Sequence, residues 1–263
     1  MLSIKKYAAI DIGSNAVRLL ISTQRILDTM HAFKLLMKSH KVVKYKACAT
    51  SAMRESLNGK QVVDLVLESS GISIDVIEGE EEAAIIAATD LNKYIDVNKT
   101  YLYVDVGGGS TEFTVIDRGN PVASHSFKIG TVRLLNDMVK SESWKELEIW
   151  IRSNVMGYDK IDVIGSGGNI NKIFKVSGKA MGKPLSFFYM TSYYNMLQTY
   201  SYEERITELD LNQDRADVII PAMRIYLSAM KWSGAKNIYV PKIGLADGII
   251  KSIYYDTVSS NTQ

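Results

Sequence analysis

The apolar positions between residues 101 and 116 predict a β-hairpin with a glycine turn. Apolar side chains alternate on both sides of the turn, at Leu102, Val104, Val106, Phe113, Val115 and Ile116. Alternation on both sides of a glycine cluster is typical of strand–turn–strand, whereas the glycines of the dinucleotide-binding fingerprint open a helix. Phosphate oxygens can approach the amides of such a turn because no Cβ intervenes. An ordinary tight hairpin would give the same pattern.

Two carboxylates flank this turn. Asp105 lies beside it, and Glu112 follows it on the outgoing strand. Carboxylate oxygens bind hard divalent cations and also position water. The residues alone leave both roles open.

The same order of residue types occurs earlier in the chain. Residues 7–22 give an apolar strand, Asp11, a turn starting at Gly13 and a second apolar strand that carries Arg18. The two aspartates are about ninety residues apart, a separation that suits a duplicated domain rather than a short-period solenoid. Two such hairpins facing each other would hold a phosphate chain from both sides. We therefore expect a phosphate-handling cleft.

Apolar spacing predicts the remaining elements. Helices are expected at 24–39, 60–68, from 80 onward, 144–152, 169–176, 186–201, 202–209, 214–232 and 249–255, and strands at 42–54, 72–77, 161–164 and 237–240. Pro221 is expected to start or kink its helix. Arg54 stands at the end of a predicted strand, where open α/β sheets place ligands. We favour a phosphate-binding role for Arg54 over a solvated charge.

Two other segments are candidates for chemistry. Glu80, Glu81 and Glu82 open an alanine-rich helix, where acidic residues suit the positive end of the helix dipole. One of them could instead be a general base, and spacing does not choose among them. The Gly-Ser-Gly-Gly turn ending in Gly167 and Gly168 opens a helix, which makes it receptive to anions.

Composition narrows the function classes. The 263 residues are 46% hydrophobic, enough for one large domain or two small ones, and 31 basic against 29 acidic side chains give a net charge of +2. A general DNA- or RNA-binding surface is therefore not expected. Cys48 is the single cysteine, so no disulfide forms within the chain, and a reducing compartment is favoured. The sequence has neither a membrane-spanning run nor a signal-peptide pattern, so we expect a cytoplasmic protein away from membranes.

Six segments together resemble the exopolyphosphatase / guanosine pentaphosphate phosphohydrolase (Ppx/GppA) family of the actin–hexokinase–Hsp70 superfold. They are DIGSNAVRLLI from Asp11, ATSAMR from Ala49, EGEEEA from Glu78, VDVGGGSTE from Val104, GSGG from Gly165 and GLADG from Gly244. Each segment alone is a weak signal, but all six occur in family order and span nearly the whole chain.

The resemblance implies an α/β fold of two ribonuclease-H-like lobes with the active site in the cleft between them. Residues 1–98 would form the first lobe and residues 99–263 the second, with the C-terminal helix near 246–256 packing back on the first. The chain resembles a short form without the C-terminal helical domains of longer members. The family also places a further strand between the first hairpin and the first helix, where Ser22–Arg25 leave no room for one.

The resemblance also implies residue roles. Glu82 matches the proposed general base, Asp105 the metal-associated aspartate, and Glu112 the glutamate of the STE segment. Asp11 would share the metal role if the two hairpins face one cleft. The expected phosphate-binding residues are Ser14, Asn15, Arg18, Arg54, Gly107, Gly108, Gly109 and Ser110, together with Gly167 and Gly168 of the third turn.

The sequence therefore predicts an exopolyphosphatase that uses Mg²⁺, or another divalent cation, to release terminal phosphate from polyphosphate. Such hydrolysis needs a positioned water, neutralised phosphate charge and a carboxylate base. Hydrolysis of the 5′-phosphate of guanosine pentaphosphate (pppGpp) is the close alternative. A sugar or acetate kinase and an actin-like nucleotide switch are more distant alternatives. The expected partners are polyphosphate or guanosine penta- or tetraphosphate, and the resemblance suggests a homodimer.

Overall fold

The computed structural model of the chain describes residues 5–13, 21–87, 96 and 98–259. These residues form two compact units. The N-terminal unit combines the described residues up to 87 with residues 245–259, and the C-terminal unit runs from residue 96 to residue 244. The chain thus leaves the first unit, builds the second and returns to the first.

The described residues form nine strands and twelve helices. In chain order they are β1 (Lys6–Ile12), α1 (Ile21–Ser39), β2 (Val42–Ala49), α2 (Ser51–Glu55), α3 (Gly59–Ser70), β3 (Ile74–Val76), α4 (Gly79–Ala87), β4 (Thr100–Val106), β5 (Thr111–Asp117), β6 (Asn120–Phe127), α5 (Thr131–Leu135), α6 (Ser141–Val155), β7 (Ile161–Ser166), α7 (Gly168–Val176), β8 (Leu185–Ser186), α8 (Phe187–Gln198), α9 (Tyr202–Thr207), α10 (Gln213–Ala216), α11 (Ile219–Ser233), β9 (Asn237–Tyr239) and α12 (Leu245–Ser259).

The described strands of the N-terminal unit form a parallel sheet in the order β1-β2-β3. Helices α1 and α3 supply apolar side chains to its core, as parallel sheets require. Helix α12 packs against β1, β2 and α4. The core consists of Ile10, Ile12, Ile26, Met30, Ala47, Ala49, Met53, Val62, Val66, Ile72 and Ile74.

The structure corrects three predicted boundaries in this unit. Helix α1 begins at Ile21, so the outgoing strand predicted through Ser22 is wrong at its end. Strand β2 ends at Ala49, and the predicted strand continues as the short helix α2, because Ser51 and Met53 turn into the core.

The third correction concerns the closing helix. It begins at Leu245, so the turn predicted through Gly248 is helical. A Cβ on Gly248 would lie 2.3 Å from the carbonyl oxygen of Ile85, so its missing side chain allows α12 and α4 to pack closely.

The sheet of the C-terminal unit has the order β6-β5-β4-β7-β9-β8. Strands β4, β5 and β6 are antiparallel neighbours, whereas β7 is parallel to β4 and β9 is parallel to β7. An antiparallel meander joined to parallel strands is the pattern of a ribonuclease-H-like lobe. The predicted α/β fold class is confirmed.

Strand β4 is the buried centre of this sheet. Leu102 and Val104 have no exposed surface, and helices α6, α7, α8 and α11 contribute apolar side chains to the surrounding core. Pro221 lies in the first turn of α11, where its missing N–H costs no intrahelical bond. The sequence predicts this helix start correctly.

Within the described residues, no helix combines the length and apolar character needed to cross a membrane. The cytoplasmic location stays a prediction.

Cys48 should be unreactive in the native protein. It is fully buried on β2, and desolvation raises the pKa of its thiol to about 11. At pH 8 only about one thiol in a thousand would then be the nucleophilic thiolate. We expect iodoacetamide to label Cys48 rapidly in urea and very slowly in buffer, as measured by mass spectrometry. Similar rates in the two conditions would contradict the burial of β2.

Candidate active-site residues

The predicted glycine hairpin is present in the C-terminal unit. Strands β4 and β5 pair antiparallel and are joined by the turn Gly107–Ser110, which the Gly107 N–H closes by donating to the Ser110 carbonyl oxygen at 3.0 Å. In this register Asp105 lies directly opposite Glu112. Directly opposed residues project to the same face of a sheet, so the two carboxylates are neighbours beside the turn.

The Glu112 side chain is only 2% exposed and is held by hydroxyl groups. Its Oε1 accepts hydrogen bonds from Ser110 Oγ at 2.7 Å and from Ser126 Oγ at 2.9 Å. Ser126 lies opposite Glu112 on β6, so three neighbouring segments meet at this carboxylate. Glu112 therefore fixes the end of the turn as well as carrying charge.

Asp105 contacts the end of the neighbouring parallel strand. Ser166, opposite Asp105 on β7, places its Oγ 3.1 Å from Asp105 Oδ2 and 2.8 Å from the Ile243 carbonyl oxygen. The hydroxyl has one proton and donates to one acceptor at a time. Tyr226 OH donates a hydrogen bond to the backbone carbonyl oxygen of Ser166. Burial raises the pKa of the Tyr226 phenol well above its usual range, and the Asp105 charge adds to this shift, so the phenol remains a donor.

The second glycine turn of this unit packs against the first. Gly167 connects β7 to α7 with φ of 111°, a conformation open essentially to glycine. A Cβ at this position would lie 3.0 Å from the Val106 carbonyl oxygen and 3.5 Å from Asp105 Oδ1. The two turns therefore meet beside Asp105.

Arg215 is a neighbour of this turn that sequence reasoning missed. It lies on the short helix α10, and its Nη1 donates to the Gly168 carbonyl oxygen. Burial lowers the pKa of its guanidinium, partly offset by Asp214. Since 47 residues separate Arg215 from Gly168, no local pattern links them.

In the N-terminal unit, Asp11 lies near the end of β1, opposite Cys48. Solvent reaches its side chain, but the surrounding protein removes part of the hydration and raises the pKa of the carboxyl. Ser14, Asn15 and Arg18 lie outside the described residues.

Arg54 and Glu82 are connected through the start of α4. Arg54 Nη1 donates to the Ile77 carbonyl oxygen at 2.6 Å, and its Nε lies 3.4 Å from Glu78 Oε2. The Glu82 N–H donates to the Glu78 carbonyl oxygen at 2.9 Å. Arg54 thus stabilises the segment that leads into α4, the helix that carries Glu82. The sequence pattern did not predict this structural role.

The structure separates Glu82 from its neighbour Glu81. Glu82 is buried at 9% exposure, whereas Glu81 is exposed and lies 3.9 Å from Lys46 Nζ. Spacing alone could not make this distinction.

The two carboxylates beside the Gly107–Ser110 turn would supply only part of the ligand set of a magnesium ion. Within the described ranges, no three His, Cys, Asp or Glu side chains cluster as a metal site. Mg²⁺ retains several waters and needs only one or two protein carboxylates. Asp105 is one such carboxylate, and Glu112, only 2% exposed, lies directly opposite it.

The strand order and the location of these residues define a class: an α/β protein with a ribonuclease-H-like lobe, carrying carboxylates and two glycine turns at the ends of its central strands. The model of the Ppx/GppA phosphatase family matches residues 12–153. The chain belongs to that family.

Known relatives agree with this assignment. Exopolyphosphatase 2 of Mycobacterium tuberculosis is 25% identical over 183 residues, which cover 54% of this chain and 57% of that protein. A guanosine-5′-triphosphate,3′-diphosphate pyrophosphatase of Photobacterium profundum is 31% identical over 117 residues, covering 44% and 23% of the two chains. The chain thus matches less than two thirds of the length of these relatives.

A solved structure shows the same fold. The crystal structure of an exopolyphosphatase from Cytophaga hutchinsonii superposes with a TM-score of 0.80 at 19% identity, covering 94% of this chain and 97% of the other.

Replacing Gly167 with alanine should destabilise the C-terminal unit by about 1–3 kcal/mol, because the residue must keep a strained backbone and its Cβ crowds Val106. Gly178→Ala is the matched control, since Gly178 also has positive φ, at 67°, but open space around it. Its cost should be about 1 kcal/mol. Urea unfolding measures both. Equal losses would show that neither the contact with Val106 nor the more extreme φ of Gly167 adds to the cost.

Proposed function

We propose that this chain is an exopolyphosphatase that releases terminal phosphate from inorganic polyphosphate in a divalent-metal-dependent hydrolysis. The observation that carries the proposal is the meeting of two glycine turns beside Asp105. A Cβ on Gly167 would lie 3.5 Å from Asp105 Oδ1, and Asp105 lies two residues before the turn that starts at Gly107. Backbone amides and a hard oxygen ligand side by side suit a phosphate group and its metal ion.

In this proposal the phosphate oxygens are bound by the amides of Gly108, Gly109 and Ser110 and of Gly167 and Gly168, whereas the Gly107 amide, expected to bind phosphate, closes the turn instead. Arg215, next to Gly168, adds a cation at the second turn. Ser14, Asn15 and Arg18 have the same assignment in the N-terminal unit, from the sequence resemblance alone. Arg54 contributes by bracing the segment before α4 and, through its charge, by attracting the anion.

Asp105 and Glu112 would hold Mg²⁺ in the C-terminal unit, and the metal role of Asp11 in the N-terminal unit rests on the sequence resemblance alone. The ion would neutralise phosphate charge when bound. The hydroxyls of Ser110, Ser126 and Ser166 orient the two carboxylates, so the protein holds these oxygens in place before a ligand arrives.

Glu82 is the proposed general base. A glutamate carboxylate within hydrogen-bond reach of an attacking water can take its proton. Glu81 and Glu82 both lie in the first turns of α4, and burial distinguishes Glu82 from the exposed Glu81.

Hydrolysis of pppGpp is the second candidate, favoured by the similarity to the Photobacterium profundum pyrophosphatase. Phosphate release should be measured separately with polyphosphate, with pppGpp and with ATP plus sugar or acetate acceptors. Release from polyphosphate at the highest kcat/KM supports the proposal. Preference for pppGpp would select the second candidate, and phosphate transfer from ATP to an acceptor would replace both with a kinase.

Glu82→Gln should lower phosphate release by roughly 10²–10⁴-fold while retaining substrate binding, the range for loss of a general base. Glu81→Gln is the matched control and should retain near-wild-type turnover. Steady-state kinetics and circular dichroism test both variants. If Glu81→Gln is the inactive variant, the base has been assigned to the wrong glutamate; if neither loses activity, the acidic turn only starts a helix.

Asp105→Asn should weaken binding of Mn²⁺, used as a spectroscopic substitute for Mg²⁺, because it removes a charged hard-oxygen ligand. We expect a loss of at least about tenfold in affinity by electron paramagnetic resonance. Asp117→Asn is the control, since Asp117 lies at the far end of the same hairpin and accepts from Thr100 Oγ1 at 2.7 Å. Equal Mn²⁺ affinity in Asp105→Asn and the wild type would remove Asp105 from the metal site.

A further inference from the structure

We propose that residues Gly130–Arg133, here termed the brace, are positioning residues that orient the amides of the Gly107–Ser110 turn toward a phosphate group. The inference rests on the proposed function and extends it to residues with no assigned role. The brace consists of Gly130 and the first three residues of α5, and it begins twenty positions after Ser110, the last residue of the turn.

The brace binds every glycine carbonyl of the turn. Thr131 N–H donates to the Gly107 carbonyl oxygen at 3.0 Å, and Val132 N–H donates to that of Gly108 at 2.8 Å. The Arg133 N–H shares the Gly108 acceptor at 3.3 Å. Arg133 Nε completes the set by donating to the Gly109 carbonyl oxygen at 2.6 Å.

These bonds determine where the amides point. In a trans peptide the C=O of one residue and the N–H of the next lie in one plane and point in opposite directions. Fixing the carbonyls of Gly107, Gly108 and Gly109 toward the brace therefore aims the N–H groups of Gly108, Gly109 and Ser110 away from it. Among the described residues, no backbone carbonyl accepts from these three amides.

The orientation matters because glycine peptides rotate easily. A flipped peptide would present a carbonyl oxygen, which repels a phosphate oxygen, in place of an amide donor. Holding the donors in place before the ligand binds avoids the cost of ordering them later.

Gly130 makes the brace possible by its missing side chain. A Cβ there would lie 2.3 Å from the Gly108 carbonyl oxygen and 2.5 Å from the carbonyl carbons of Gly108 and Gly109. Nothing larger than glycine fits without moving the turn. The Gly130 φ of −131° is accessible to any residue, so close approach is the reason for glycine here.

Thr111, the residue after the turn, links the turn to the residue that precedes the brace. Its Oγ1 donates to the Ile129 carbonyl oxygen, and both Thr111 and Thr131 are buried. Arg133 binds the turn through both its backbone N–H and its side-chain Nε, so both parts of the residue support the turn.

The test measures binding of imidodiphosphate, which resists hydrolysis, to the full chain by calorimetry and by amide NMR shifts. Gly130→Ala changes no charge, yet it should weaken binding by about 10²-fold, the cost of misplacing site groups by about 1 Å. The amide shifts of Gly108, Gly109 and Ser110 on ligand addition should disappear. Wild-type affinity in a folded Gly130→Ala protein would overturn the proposal, as would a wild-type protein that does not bind the probe.

Arg133→Met is the second variant and decides the question if Gly130→Ala does not fold. It should weaken binding about tenfold, the effect of losing a charge-assisted hydrogen bond. Arg152→Met is its control, because Arg152 Nε donates to the exposed Glu148 at 2.8 Å. A positioning role leaves the salt dependence of Kd unchanged in Arg133→Met. A reduced salt dependence would make Arg133 a direct phosphate ligand and overturn the positioning role.

The two proposals can fail separately. If the wild type binds imidodiphosphate in a brace-dependent way but releases no phosphate from polyphosphate, the brace stands and the exopolyphosphatase function falls. If Gly130→Ala releases phosphate as fast as the wild type and binds the probe equally well, the function stands and the brace falls.

Discussion

Strand β4 is the constraint on which the C-terminal unit depends. It pairs antiparallel with β5 on one side and parallel with β7 on the other, so its last residues have defined partners on both edges. Asp105 on β4 therefore lies between Glu112 on β5 and Ser166 on β7. The apolar side chains of β4 are fully buried, and a one-residue slip in register would turn Asp105 into the core. Burial of the strand thus fixes the position of the carboxylate.

The polar side chains at the ends of the central strands are held by hydrogen bonds to neighbouring polar groups. Tyr226 OH binds the Ser166 backbone, the Ser166 hydroxyl reaches Asp105 and the Ile243 carbonyl, and two serines hold Glu112. Buried polar groups are costly unless they are hydrogen-bonded, so such a network tolerates few arrangements. The glycine turns are supported in the same way, by Arg215 at Gly168 and by the brace at Gly107–Gly109.

Two arginines, Arg54 and Arg215, show why residue type alone is a weak guide to phosphate binding. Arg54 was expected to bind phosphate directly, yet its guanidinium braces the backbone at Ile77 and lies beside Glu78. Arg215 was not singled out, yet it lies on the Gly-Ser-Gly-Gly turn. An arginine has five donors and can serve backbone and ligand together, so its neighbours determine its use.

The sequence by itself determined the local elements that carry the candidate chemistry. Alternating apolar residues around three glycines predicted the β4–β5 hairpin, and glycines followed by a helical pattern predicted the turn into α7. Both signals are local, because strand and helix periodicity extend over only a few neighbouring residues. Six motifs in order also identified the family, which the family model confirms. The start of α1, the end of β2 and the start of α12 were misplaced. At the end of β2, the buried Ser51 and Met53 belong to helix α2, and the local pattern did not show this change from strand to helix.

Only the tertiary structure brought distant residues together. Ser166 and Asp105 are 61 residues apart, Arg215 and Gly168 are 47 apart, and Arg133 and Gly109 are 24 apart. Each contact depends on which strands are neighbours and how their register aligns, and these follow from packing the whole unit around one core. The choice of Glu82 over Glu81 has the same origin, since both share one acidic turn and only burial distinguishes them. A local sequence pattern contains no information about which distant residues will contact it in the folded unit.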